Sequence, residues 1–143
     1  MKKILKTLID YSLFEKYDKD YFINNKILPL FENDISIKMA VCKNSKLETI
    51  KNDFNKVISF LEIDELELLF MISHIDQKTL LYSMALKAIS QNSFEKYVDK
   101  FLQELLSFSI NLRASDIHIE QYKDVILFKF RIDGRLKTFF AFC

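Results

Sequence analysis

Glycine, proline, cysteine and tryptophan are nearly missing from this chain. Its 143 residues hold one glycine, one proline, two cysteines and no tryptophan. A phosphate-cradling GxxxxGK(S/T) loop needs two glycines, because backbone amides must approach phosphate oxygens with no Cβ in the way. A GxGxxG fingerprint needs three. The chain therefore holds no nucleotide by itself through either loop. Pro29, the lone proline, cannot donate to a strand ladder, so KILPLF (26–31) reads as an edge strand or an extended entry segment. Cys42 and Cys143 lie far apart and neither has a CxxC neighbour. That argues against a disulfide framework and against a zinc site built on cysteine, and leaves ordinary reduced thiols.

Charge of one sign is missing too. Lys and Arg number 21 against 20 Asp and Glu, a formal net charge of +1. No global attraction to nucleic acid or to an anionic membrane follows. No run approaches the roughly 18 apolar residues of a membrane span. The opening MKKILKTLIDYSLF places Lys2 and Lys3 before apolar residues, as a secretory signal does. Lys6 and Asp10 interrupt it, however, and no small-residue cleavage site follows.

What is present is a soluble-globular balance with 14 phenylalanines, large rings suited to filling a small core. Ile4, Leu5, Leu8, Ile9 and Leu13 fall on one side of a helix over 1–16, which packs on its own domain or docks on a partner. Asp18 or Asp20 can cap a short helix through Tyr21–Ile23. ISIKMAVC (35–42) alternates as a half-buried strand. Ser45 and Glu48 form a capping box, and Leu47, Ile50, Phe54, Val57, Ile58 and Leu61 follow at helical spacing. LELLFMI (66–72) has strand length. Asp76 caps a further helix with Leu80, Leu81, Met84, Ala85 and Ala88 inward. Residues 26–89 thus read β-β-α-β-α.

SQNS (90–93) is the polar break taken as a domain boundary. A helix to about residue 112 follows, its buried stripe Phe94, Val98, Phe101, Leu102 and Leu105. Then Ile117 and Ile119 alternate with Asp116, His118 and Glu120, a strand with one buried face. Gln121–Asp124 reads as a turn. Val125–Ile132 is a second strand with Phe128, Phe130 and Ile132 on one face and Lys129 and Arg131 on the other. Asp133-Gly134 signals a type I′ hairpin turn, since both central residues need φ > 0. Leu136–Cys143 returns as a third strand. A four-residue first turn sets Asp116 across from Lys129 and Ile117 across from Phe128.

The expected fold is α+β or α/β. A small βαβα N-terminal domain occupies 1–90, and a partial PAS-like domain, a long helix plus a three-stranded antiparallel meander, occupies 91–143. Asp116, His118 and Glu120 stand roughly 6.5–7 Å apart along a strand, loose for one metal ion, so they read as a solvated face. Catalysis by His118 lacks an identifiable nucleophile.

RASDIHIE (113–120), followed by FRIDGRL (130–136), resembles the second N-terminal domain of the ATPases that drive type II secretion, type IV pilus assembly and competence DNA uptake. The unit before it, with its ILPLF-like entry strand, is similar to the family's first N-terminal domain through weaker motifs. The resemblance implies a hexameric parent on the cytoplasmic side of the inner membrane. It implies a RecA-like motor domain, carrying the phosphate loop and using ATP and Mg²⁺, that this chain lacks. The chain alone is therefore not expected to hydrolyse ATP, and it carries no cofactor of its own. Arg131, in the RIDG motif, best matches an arginine supplied to the nucleotide, with Arg135 the weaker candidate. The first domain is expected to dock on an inner-membrane platform or adaptor protein through Ile4, Leu5, Leu8, Ile9 and Leu13. Phe139, Phe140 and Phe142, left uncovered, imply dimerisation or domain swapping through 125–143. The alternative reading is a stand-alone PAS-like interaction module with no motor.

Overall fold

The computed structural model describes residues 8–90 and 94–142. The protein is mixed α+β, with two three-stranded sheets in separate compact units, Met1–Ile75 and Asp76–Cys143. The division precedes the break expected at 90/91, so the helix over 75–90 goes almost wholly with the second unit.

In the first unit the described chain starts outside any helix or strand. The Asp10 amide donates to the Leu30 carbonyl at 2.9 Å. Of the helix expected over 1–16, the described residues show only α1 (Leu13–Lys16); residues 1–7, with Ile4 and Leu5, lie outside the described residues. Helix α2 (Lys19–Asn25) is capped by the Asp18 carboxylate, which accepts from the Asp20 amide, and ends on Lys26 at φ 52°. Strand β1 (Ile27–Glu32) runs antiparallel to β2 (Ser36–Val41) with a bulge between Pro29 and Phe31, at the sheet edge that its proline demands. Helix α3 (Leu47–Asp53) then crosses over to β3 (Val57–Glu62), which pairs parallel to β2, Ile37 beside Ile58 and Met39 beside Phe60.

Three expectations fail here. The helix foreseen behind Ser45 ends at Asp53, and its second half is β3. Apolar residues at helical spacing span two elements, and the β-branched and aromatic Val57, Ile58 and Phe60 take the open ladder beside β2. The strand foreseen at 66–72 is α4 (Glu65–Ile72), opened by Asp64, whose carboxylate accepts from the Leu66 and Glu67 amides. Its Leu, Glu, Met and Phe are helix formers or compatible with helix, and run length alone suggested otherwise. Nor does Ser45 cap α3; Lys46 stands at that position without a side-chain bond. Ser45 Oγ instead accepts from the Cys42 amide at 2.8 Å and donates to the Lys26 carbonyl, tying the β2–α3 loop to the α2–β1 corner.

The core of this unit is Phe22, Ile27, Ile37, Met39, Val41 and Ile50, ringed by Phe14, Tyr17, Tyr21 and Phe54. Phe22 meets Phe14, Tyr17 and Tyr21 edge-on at 5.5–6.1 Å, the arrangement ring quadrupoles favour.

Helices α5 (Ile75–Ser90) and α6 (Phe94–Asn111) lead into a meander of β4 (Asp116–Tyr122), β5 (Val125–Ile132) and β6 (Arg135–Phe142). Leu81 and Ala88 of α5 are buried as expected, but Leu80 is exposed. On α6 Leu105 and Phe108 are buried and Leu102 is not; the Phe94 side chain lies outside the described ones. The aromatic face of the sheet carries stacked pairs, Phe128 on Phe140 at 4.4 Å and Phe130 on Phe139 at 4.8 Å. Phe101 and Phe108 of α6 approach these pairs edge-on.

The β4–β5 turn has two residues, with Tyr122 paired to Val125, not the four expected. The register moves by two, so Asp116 faces Arg131 and Ile117 faces Phe130. A shift of two keeps every side chain on its expected face. The Asp133-Gly134 turn is as foreseen, with φ 49° and 73° and Ile132 paired to Arg135. Phe139, Phe140 and Phe142, expected to stand uncovered, are all buried. The α6 rings and Tyr82 cover them, Tyr82 lying 5.3 Å from Phe142, which removes the premise for pairing through 125–143.

Candidate functional site

The two motif-bearing stretches meet on one face of the β4–β5 hairpin. Alternation along β4 puts Asp116, His118 and Glu120 on that face, and β5 adds Lys129 and Arg131. Direct opposition gives the pairs Asp116–Arg131 and His118–Lys129. Arg131 Nε donates to Asp116 Oδ2 at 3.1 Å, and Nη1 lies 3.4 Å from the Gly134 carbonyl, over the turn. Lys129 reaches diagonally to Glu120 at 2.5 Å, and the Tyr122 hydroxyl donates to the same oxygen at 2.7 Å.

These partners set the titration of the acids. The Ser115 hydroxyl, 2.8 Å away, and then the Arg131 charge hold the Asp116 carboxyl below its ordinary range. Lys129 and Tyr122 do the same for Glu120, and that bond pushes the Tyr122 phenol up. Each carboxylate already has a cation. Among the described residues no group of three or more His, Cys, Asp and Glu side chains is disposed to hold a metal ion. What the face offers is the Arg131 guanidinium, 38% exposed, with exposed Arg135 just past the turn. A guanidinium fixed on a strand can present a fork of donors to an anion.

The expected docking residues are scattered. Ile9 and Leu13 are buried in the first unit, Leu8 is half-buried, and Ile4 and Leu5 lie outside the described residues.

Two polar features escaped sequence reasoning. Glu32 ends β1 almost buried and receives Lys16, the Tyr17 hydroxyl and, at 3.1 Å, Lys56. Burial alone would raise its carboxyl, but these donors outweigh it and bring it down to about 2. The three donors come from distant parts of the sequence, so no local pattern announces them. Lys78 on α5 is fully buried, its Nζ 4.7 Å from the centre of the Phe139 ring. Burial pushes its amine down to about 7. The signal available was its place three residues before Leu81 on the inward side of α5.

No protein-family model matches this chain, and no curated protein matches it either. Among the described residues no helix is long and apolar enough to cross a membrane.

Proposed function

We propose that this chain is the N-terminal docking and regulatory region of a secretion or pilus-assembly ATPase. Its second unit is read as the first part of a PAS-like domain that supplies arginine to a nucleotide held elsewhere. The observation that carries the reading is the meeting of ASDIHIE and RIDGRL side by side, with Asp116 paired to Arg131 and the guanidinium partly open beside the Asp133-Gly134 turn. Asp116 steadies the arginine, and Arg135 adds a second positive charge at the same hairpin end. An arginine aimed at phosphate oxygens stabilises charge developing in phosphoryl transfer. ATP and Mg²⁺ belong to the motor domain of the parent, which works as a hexamer beside the inner membrane, coupled to a platform or adaptor protein.

Sequencing the coding region beyond Cys143 tests the premise. A phosphate loop downstream supports the motor, and an immediate stop codon overturns it. In the longer protein, Arg131→Ala is expected to lower ATP turnover by about 10²-fold or more while leaving the fold unchanged. Full activity in that variant would remove Arg131 from the role.

A second reading, a free-standing interaction module, is favoured by one observation: Arg131 already has a carboxylate partner within the chain. Under it, Asp116→Ala and Arg131→Ala change stability alone.

A further inference from the structure

The two edges of the first sheet are finished differently. β1 carries Pro29 and a bulge, and its Leu30 carbonyl already accepts from the Asp10 amide. Proline, bulges and covering chain keep a strand edge from pairing further. β3, at the other edge, has none of these. Its VISFLE is unbroken, without proline, lysine or bulge, and among the described residues it pairs with β2 alone. The Val57 amide donates to the Ile35 carbonyl at 3.0 Å, and the Ile63 amide to the Val41 carbonyl at 2.8 Å. Alternation therefore turns the backbone groups of Val57, Ser59 and Leu61 toward β2, and those of Ile58, Phe60 and Glu62 away from it, with no partner strand. The side chains along this edge are open as well, Val57 at 65% and Phe60 at 37%, with Ser59 exposed between them.

We propose that β3 is the seam of a dimer: β3 of a second copy adds to it antiparallel, about a two-fold axis through Ser59 perpendicular to the sheet, joining two three-stranded sheets into one. Unpaired amides and carbonyls along an edge require an extended strand, because neither a helix nor a lipid surface returns a ladder of acceptors and donors. The strand's own sequence fits as that partner. A two-fold contact must be self-complementary. Outward groups must also oppose outward groups, so the axis falls on a residue and not between two. On Ser59 it sets Ile58 against Phe60 and Val57 against Leu61, each pair twice, apolar to apolar on both faces of the sheet. Glu62, the strand's only charge, stays outside that ladder. One residue further, at Phe60, the axis would draw Glu62 in against Ile58. Faces continue unchanged across such a seam, so Ile58, packed on the core of one copy, runs on into Phe60 of the other. The ladder over 57–61 is short, a small contact, so the association is weak and concentration-dependent.

Sedimentation velocity on the whole chain over a concentration series tests this, with amide hydrogen exchange read by NMR on the same samples. A monomer–dimer equilibrium is expected. The Ile58 and Phe60 amides slow their exchange as concentration rises, whereas the Val57 amide, bonded within the chain, is slow throughout. Phe60→Pro removes an outward donor, and Ser59→Lys sets like charges on each other at the axis; each weakens the dimer by about tenfold or more. Ser59→Lys, at an exposed position, decides if Phe60→Pro lowers the melting temperature. Directly opposed residues of a non-hydrogen-bonded pair stand roughly 4.5 Å apart at Cα, within disulfide reach. Ser59→Cys, with Cys143→Ser, is therefore expected to give a disulfide-linked dimer on treatment with oxidised glutathione. A monomer at every concentration overturns the proposal and leaves the edge to a strand from another protein. A dimer indifferent to Phe60→Pro and Ser59→Lys, or one whose Ile58 and Phe60 amides exchange as in the monomer, overturns it in favour of another surface. Cross-linking by Phe60→Cys and not by Ser59→Cys would exclude the axis at Ser59.

Discussion

The two sheets each have three strands, yet they are assembled in opposite ways. In the second, β4, β5 and β6 are consecutive and joined by two-residue turns, so every pairing is local. In the first, β2 finds β3 across a helix and pairs with it in parallel, and β1 is bulged. The polar groups differ likewise. The first unit gathers three distant donors on one nearly buried carboxylate, Glu32, whereas the second spreads its charges in a ladder along one face of its sheet and buries an amine, Lys78, over the Phe139 ring. Local pairing can be read from adjacent residues. Pairing across a helix depends on which distant strand is free.

The sharpest way to break the comparison is to empty each core in turn. Phe130, fully buried and stacked on Phe139, and Phe22, fully buried among four rings, are the matched targets. Either one changed to alanine is expected to cost about 3–5 kcal/mol. Hydrogen exchange resolved by peptide should show Phe130→Ala loosening 94–142 and Phe22→Ala loosening 8–72. Equal loosening of both stretches by either variant would mean that the units unfold as one.

Acid and alkali should separate the units next. The Lys78 amine, ordinarily near 10.5, is pushed down to about 7, so between those values the unfolded chain binds the extra proton. Stability must then rise with pH across that window, by a few kcal/mol in all. Lys78→Met should remove the slope and stabilise the protein at pH 7. Glu32 runs the other way round: its carboxyl, ordinarily near 4.5, sits at about 2, so its contribution is present above 4.5 and fades as pH falls toward 2. Glu32→Gln should flatten the acid limb of urea-denaturation midpoints and leave the alkaline limb alone. A Lys78→Met protein that keeps its alkaline slope would place the titration on another group.

What could be read from the sequence follows the same division. The second unit was legible because its signals are short-ranged: alternation in β5, and Asp133-Gly134 demanding two positive φ values; in β4 the face expected to be buried is not, since Ile119 is 53% exposed. Even its register error, from a turn taken as four residues, preserved both faces. The mixed α+β class was legible as well. The first unit misled at 45–72 because apolar spacing cannot tell one long helix from a helix followed by a strand. Asp64, the true cap, went unweighed while Ser45 was engaged elsewhere. The row 4–13 left packing and docking both open; Ile9 and Leu13 pack inside the first unit, while Ile4 and Leu5 lie outside the described residues. Of the candidate site, the Asp116–Arg131 face was legible as a face; its pairing required the turn length.

Gly134 tests the turn that fixes that face. A Cβ there meets nothing within 4 Å, so the price of Gly134→Ala is the left-handed backbone at φ 73° alone. About 1–2 kcal/mol is expected, read as a lower urea midpoint with an unchanged slope. A much larger loss would reveal packing at the turn that the geometry does not contain.

The smallest effect decides what the charge ladder is for. Asp116 and Arg131 are directly opposed but both well exposed, so solvent screens them and the side chains lose freedom on pairing. A double-mutant cycle with Asp116→Ala and Arg131→Ala should give a coupling of about 0.2–1 kcal/mol, shrinking as salt is raised. So weak a bond leaves Arg131 free to exchange its carboxylate for a phosphate oxygen at little cost, which the arginine-supplying role requires. A salt-insensitive coupling of several kcal/mol would mean that the guanidinium is locked to Asp116, and would favour the interaction module over the motor.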